Sequence, residues 1–504
     1  MDRVPSHPVL TCAAAAAWEK KLLPDEAAEW AAMQRAGAAI ATAVTEDFRE
    51  IGGLSPETRL LVLVGKGHNG GDALLAAMNL MALCPRATAG VLLVFGENAL
   101  RPLARRSLTE LRRVAGNRLG EVTLATLKSE LAGYDVCLDG VFGFQFRPPL
   151  GEITAEILAW VNTHSRIRLR AAVDLPSGLG EQNAGTVFRA DFTYATGVVK
   201  APVVLPANAP FVGRVRYLDL GFFSASQPDS SAHVLTVDIL APLAQLRRAQ
   251  TDKRTYGHLF VIGGSRSYPG AVLLTVQAAL RSGVGLLTAF VPASLAPEYA
   301  ARFPEAMWVG LSETADGGLA LSGLALIREK LPRATALVLG PGLGAAPETL
   351  EATEAIVRNT NIPLLLDADA LRPGILTAAA GKRLIATPHA GEFRRISSAT
   401  DWREPGVLVL KGQPTQVREG ENVYFSLCGG PVLARGGSGD VLAGLIGGLL
   451  AQAPDDLLLA ACRGTVWHGL AADLLARDLG QVAVQTTQLF DYLRPALQSL
   501  AHES

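Results

Sequence analysis

The sequence predicts an α/β protein of two doubly wound domains, and three observations carry that prediction. Short apolar, strand-like runs alternate with Ala- and Leu-rich helical stretches along most of the chain, the pattern of parallel sheets covered by helices on both faces. The chain has 504 residues, too many for one ordinary core at roughly 100–200 residues per domain. A polar, turn-forming stretch at 222–232 interrupts the apolar pattern once, as a linker does. The expected organisation is therefore a domain at 1–222, a linker at 223–232 and a larger domain at 233–504.

Composition bounds the function. Hydrophobic residues make up 49% and charged residues 18%, with 51 Gly and 29 Pro, which suits compact domains with many tight turns and argues against disorder. A net charge of −1 without a long basic block leaves no nucleic-acid footprint and points to small-molecule partners. The cysteines Cys12, Cys84, Cys137, Cys428 and Cys462 are scattered, with no metal-ligand spacing, and read as reduced packing residues. The alanine run 13–17 resembles a signal-peptide core, but Glu19, Lys20 and Lys21 cut it short. Apolar runs such as 441–453 are too short and too glycine-rich to span a bilayer. A cytoplasmic protein with no membrane partner is expected.

In the first half, strand-like runs at 60–64, 91–95, 136–138 and 171–173 give a Rossmann-like, three-layer layout. The run 60–64 leads into Gly65-Lys66-Gly67-His68-Asn69-Gly70-Gly71-Asp72 and a helix predicted over 73–83. This loop lets phosphate approach the backbone, yet it has neither the Walker ending nor the dinucleotide spacing. Asp139, in a loop running through Gly143, Phe144, Gln145, Phe146, Arg147, Pro148 and Pro149, follows the third run, and Asp174 with Ser177 follows the fourth. Ligands of such sheets bind beyond the carboxyl ends of strands, so Asn69, Asp139, Asp174 and Ser177 converge there. Their oxygens suit a hard cation or proton transfer. Each Asp also fits plain turn capping, and His68 fits an exposed loop position.

In the second half, runs at 259–262, 286–290, 336–339, 363–366, 383–386 and 407–410 repeat the logic. The segments after them are Gly263-Gly264-Ser265 with Pro269-Gly270-Ala271, then Gly340 to Gly344, Asp367-Ala368-Asp369, Thr387-Pro388-His389-Ala390-Gly391-Glu392, and Lys411-Gly412-Gln413-Pro414-Thr415. Gly436-Gly437-Ser438-Gly439-Asp440 precedes the apolar run 441–450. Glycine-freed amides at a helix start hold an anion, and Asp440 beside them takes a hydroxyl proton. Taken singly, His389 reads as a satisfied polar core residue, Lys411 as a strand-end lysine on a wet rim, and Glu392 as a cap partner or cation ligand. Asp367 and Asp369 read as turn-formers or metal ligands. Helix 467–473 is expected to pack behind the anion turn.

The first-half motifs, with Lys200 before Pro206, resemble the NAD(P)H-hydrate epimerase domain over most of residues 10–222. The resemblance implies that Asn69, Asp139 and Ser177 hold K+, that Asp174 is catalytic, and that His68 to Asp72, Gly143 to Pro149 and Asp174 contact substrate. His68, Ala73 and Phe144-Gln145 replace the family's usual Asn, Gly and Thr-Gly. The second-half motifs resemble the ribokinase-like superfamily and, through His-Ala-Gly-Glu and Gly-Pro-Gly-Leu-Gly, its ADP-dependent NAD(P)H-hydrate dehydratases, over about 233 to 500. This implies that Ala271, Gly342, His389 and Asp440 contact the hydrated nucleotide, with Asp440 as base. It also implies that Lys411, Gly412, Gln413, Pro414, Thr415 and Gly439 bind ADP with Mg2+. Ala472 stands where that family usually has Gly. The expectation is repair of NADHX and NADPHX by a homo-oligomer: the first domain interconverts the R and S hydrates and the second dehydrates the S form at the expense of ADP. A ribokinase-type kinase of a small alcohol, and a dehydratase with a non-catalytic N-terminal binding module, are the alternatives.

Overall fold

The computed structural model describes residues 4–130, 132–144, 146–181, 185–397 and 406–502. The chain divides into two compact units, one of His7–Val234 with Ala476–Gln481, the other built on Leu235–Leu475 with flanking terminal segments.

In the first unit seven strands form one sheet in the order Leu119–Glu121, Thr88–Leu93, Arg59–Val64, Tyr134–Gly140, Ile167–Val173, Phe192–Thr196, Arg214–Leu218. All neighbours are parallel. Side chains alternate across it: Leu60, Val62 and Val64 join a core with helices Glu26–Phe48 and His68–Leu83, while Leu61 and Leu63 join a second core under Glu152–Thr163. Chain order reverses between Arg59–Val64 and Tyr134–Gly140, which opens a crevice at their carboxyl ends.

The helix expected at 73–83 begins at His68, five residues earlier. Its glycines are packing residues rather than a loop. A Cβ on Gly70 would lie 2.4 Å from the Gly65 carbonyl oxygen, and one on Gly71 would lie 2.3 Å from Met33 Cε. The first turn is thus pressed onto the strand end and onto helix Glu26–Phe48, so Asn69 and Asp72 are fixed on a helix.

The second unit orders nine strands as Met307–Leu311, Leu286–Pro292, His258–Ile262, Ala336–Leu339, Leu364–Leu366, Leu384–Ala386, Gly406–Leu410, Thr415–Glu419, Asn422–Ser426. The first seven are parallel and the last two antiparallel. Alternate strand residues again feed two cores, Leu259, Val338 and Leu365 on one face and Phe260, Leu337 and Leu364 on the other. The two halves are therefore mixed α/β domains with parallel sheets, as expected.

Helix Ser438–Gln452 packs tightly against helix Pro269–Arg281 because glycine removes the intervening Cβ. A Cβ on Gly444 would lie 2.2 Å from the Thr275 carbonyl oxygen. Gly444→Ala should lower stability by about 1–3 kcal/mol, the usual cost of overpacking, as a reduced urea midpoint; an unchanged midpoint would show that the two helices separate freely.

Candidate active sites

A cavity of about 650 Å³ lies at the switch point of the first unit. His68, Asn69, Asp72, Gly143, Phe144, Phe146 and Asp174 line it, as their motifs predict. Gly70, Gly71, Arg147, Pro148 and Pro149 are not among the lining residues, and Gln145 lies outside the described residues. His68 sits 3.5 Å from Glu29 at an exposed position. Glu19 and Lys200 also line the cavity. The Lys200 ammonium is buried, 2.7 Å from Asp174 Oδ1 and 3.2 Å from Glu19 Oε1, and it donates to the Thr196 carbonyl. Asp174 has φ 64°, a strained, sparsely populated conformation for a non-glycine residue, held here at the cavity wall. Burial works against the Lys200 charge, but Asp174 and Glu19 outweigh it and raise its pKa.

Behind this wall, Asp139 accepts from the Ser177 amide at 2.7 Å and from Ser177 Oγ at 2.6 Å. Ser177 Oγ accepts from the Phe142 amide at 2.8 Å, and Asn69 Nδ2 donates to the Phe142 carbonyl at 2.9 Å. Asn69 and Ser177 thus meet at Phe142, and Asp139 is tied to them through Ser177. Burial raises the Asp139 pKa to about 6, with the Ser177 bonds opposing it.

In the second unit strand Gly406–Leu410 ends at Lys411, whose amide donates to the Pro388 carbonyl at 2.9 Å and which bridges to His389. Lys411 is not a rim lysine: its Nζ lies 2.8 Å from Asp367 Oδ1 and 3.9 Å from Glu392 Oε2. Burial disfavours that charge, yet Asp367 chiefly keeps its pKa raised. Asp367 also accepts from Thr387 Oγ1 at 2.7 Å, and Asp369 accepts from the Gly344 amide at 2.9 Å. His389 is exposed rather than in the core and caps helix Ala390–Ile396, its Nδ1 accepting from the Gly391 amide while Glu392 accepts from the His389 amide at 2.9 Å. Gly412 and Gln413 are exposed, and Thr415 donates to the Gly412 carbonyl at 3.0 Å.

Gly437 turns the chain at φ 87°, and Asp440 follows in the first turn of helix Ser438–Gln452. Its pKa is raised to about 7, by burial first and the Asp367 charge second, with Lys411 opposing. A Cβ on Gly439 would lie 3.1 Å from Lys411 Nζ, which brings the anion turn and the strand-end lysine together. Ala271 and Gly342 adjoin, a Cβ on the latter falling 3.0 Å from that of the former. Thr275 Oγ1 lies 3.1 Å from the Ala271 carbonyl oxygen and 3.2 Å from that of Asp440. His468, on helix Leu457–Leu479, lies 3.5 Å from Ser438 Oγ. Burial, reinforced by Lys411, lowers its pKa to about 4, so an uncharged ring backs the turn.

Sequence reasoning missed Thr275 and the part played by Glu19. Glu19 carried a signal, a carboxylate breaking an alanine run on helix Cys12–Leu22, which was read only as a reason against secretion. Thr275 carried none.

Residues 259–495 match the family described as NAD(P)H-hydrate dehydratase, and residues 30–201 match the YjeF-related protein N-terminus. The chain is 36% identical over 485 residues to the bifunctional NAD(P)H-hydrate repair enzyme of Gloeobacter violaceus, covering 88% of this chain and 89% of that protein. To the enzyme of the same description from Moorella thermoacetica it is 32% identical over 505 residues, covering 94% and 93%. The ADP/ATP-dependent NAD(P)H-hydrate dehydratase of Bacillus subtilis, solved with ATP and Mg2+, aligns at 26% identity with a TM-score of 0.46, over 53% of this chain and 98% of that one. On its similarity to these full-length relatives, the chain belongs to the family of bifunctional NAD(P)H-hydrate repair enzymes.

Proposed function

We propose that the first unit interconverts the R and S hydrates of NADH and NADPH, and that the second dehydrates the S hydrate with ADP, giving AMP and phosphate. The observation that carries the second half is Asp440, a carboxylate with pKa near neutrality in the glycine turn at a helix start. Such a base takes the substrate hydroxyl proton as that oxygen attacks the terminal phosphorus and the bond to the departing AMP oxygen breaks. The hydroxyl has then become a phosphate ester, a good leaving group. The ring nitrogen's lone pair expels phosphate, and loss of the neighbouring C–H proton restores the dihydronicotinamide. The amides of the Gly436–Gly439 turn and the Lys411 ammonium stabilise the charge on the transferring group.

Mg2+ supplies charge neutralisation at the phosphates. Among the described residues no three His, Cys, Asp or Glu side chains form a metal cluster, and Asp367 and Asp369 each have one oxygen engaged already. The protein thus offers the ion one or two carboxylate oxygens from this pair, the sparse set that suits Mg2+ carried in with nucleotide phosphates. K+ steadies the strand-end loop of the first unit; Asn69, Asp139 and Ser177 would hold it with the Phe142 carbonyl, an all-oxygen set fit for a hard cation.

The thiols of Cys12, Cys84, Cys137 and Cys462 form no disulfide, which accords with a cytoplasmic protein, and among the described residues no helix is long and apolar enough to cross a membrane. Assembly as a homo-oligomer belongs to the same reading and is checked by sedimentation.

The test follows dihydronicotinamide absorbance with mixed NADHX epimers, ADP, Mg2+ and K+. Full recovery of NADH is expected, with the R fraction recovered only when K+ is present. A plateau at the S fraction would reduce the first unit to a binding module. Accumulation of a phosphorylated alcohol without NADH would instead identify a kinase.

A further inference from the structure

Four carboxyl groups line the cavity of the first unit, and three of them, Asp174, Glu19 and Asp72, are grouped with Lys200, a buried cation. Its ammonium contacts Asp174 and Glu19 at 2.7 and 3.2 Å; its ion pairs do not include Asp72. Asp72 Oδ1 is closed to solvent and has no hydrogen-bond partner. A bare carboxylate oxygen in such a place loses several kcal/mol of hydration with nothing in return, so a proton is the cheapest partner for it. Burial, and then the charges of Asp174 and Glu19, raise the Asp72 pKa well above its ordinary value. Beyond this trio the cavity carries Glu29 with His68, and Lys20, Lys66 and Arg101.

The chemistry of the proposed epimerisation asks for such a group. Hydroxide is a poor leaving group; the second unit is read above as solving this with a phosphoryl group, whereas an epimerase consumes no nucleotide and must protonate the hydroxyl instead. Resting on that epimerase reading, we propose that Asp72 is the catalytic acid of the first unit, the partner of the ammonium-bound Asp174. The Asp72 O–H bond breaks and its proton joins the substrate hydroxyl. The C–O bond breaks, water departs, and the ring nitrogen's lone pair forms a C=N bond. Water then adds to the other face, the nitrogen recovers its pair, and the surplus proton passes to Asp174. Exchange with solvent returns the resting protonation. Two carboxyl groups in different surroundings, one against an ammonium and one with an unpartnered buried oxygen, thus divide base and acid roles. Glu19 is a positioning residue, leaving Asp174 to share the ammonium.

The test compares the full-length protein with Asp72→Asn and Asp72→Glu. Infrared difference spectra at neutral pH should show a protonated carboxyl band in the parent that Asp72→Asn removes. In H₂¹⁸O, each epimerisation should place ¹⁸O in the substrate. Asp72→Asn should lower kcat for epimer exchange by roughly 100-fold or more with KM little changed and an unaltered circular dichroism spectrum, and Asp72→Glu should retain part of the rate. Exchange at near-parental kcat in Asp72→Asn, absence of the carboxyl band, or epimerisation without ¹⁸O uptake would overturn the assignment while leaving the epimerase reading intact. A parent protein that does not exceed the spontaneous rate overturns both.

Discussion

Replacing Asp440 by asparagine is expected to lower nucleotide-driven dehydration about 10²- to 10⁴-fold, the usual contribution of a positioned general base, with little change in KM for either substrate. Asparagine keeps the shape and the neutral form of the side chain but cannot accept the proton. The parent enzyme supplies a second, independent readout. Because the base works only when ionised and its pKa is raised to about 7, kcat/KM should climb as pH rises through about 7 and level off above it. Asp440→Asn should lose that limb. A variant that keeps the limb, or that stays within tenfold of the parent, would transfer the base role to another group in the crevice, Asp367 being the nearest candidate through Lys411.

Lys200→Met should be the most damaging single change in the first unit. The ammonium is 1% exposed and neutralises Asp174 and Glu19 together. Its removal leaves two carboxyl groups facing each other in a closed space. Breaking a buried pair in this way costs about 3–5 kcal/mol, and epimer exchange should be lost as well. The pH dependence has a definite sign. Burial already raises the Glu19 pKa, with the Lys200 charge opposing; without the cation it rises further, so the variant is at its least handicapped in acid and its deficit widens as pH rises through that raised value. Adding Asp174→Asn should recover part of the loss, the mark of coupled neighbours. Urea titration of the single and double variants at two pH values settles it, and additive losses would disprove the shared-charge account.

The parallel sheets and ten of their strands were legible in the sequence as buried apolar runs, most of them followed at once by Gly or Asp, whereas Leu119–Glu121, Phe192–Thr196, Arg214–Leu218, Met307–Leu311, Thr415–Glu419 and Asn422–Ser426 were not, being short or interrupted by polar residues. The proximity of Lys411 to His389 and to the turn before Asp440 was legible for the same reason, since each motif directly follows a strand or opens a buried helix. What escaped was set by contacts between distant segments. Gly70 and Gly71 carry the usual signal of a loop, and only the approach of Gly65 and Met33 makes them helical. Asp369 and Glu392 offer identical carboxylates on paper, yet each is engaged by a backbone amide. Glu19 lies 155 residues before Asp174 and 181 before Lys200 in sequence, and no local pattern announces that the three share a cavity wall.

Thr275 ties one further property to the fold. Its hydroxyl sits between the carbonyls of Ala271 and Asp440, and its own carbonyl is the surface on which Gly444 rests. One residue thus belongs at once to the crevice that holds Asp440 and to a closely packed helix pair. Warming cannot loosen the position of Asp440 while sparing that helix pair, so, with Asp440 as the proposed base, loss of dehydratase activity on heating is expected to coincide with melting of the unit instead of preceding it.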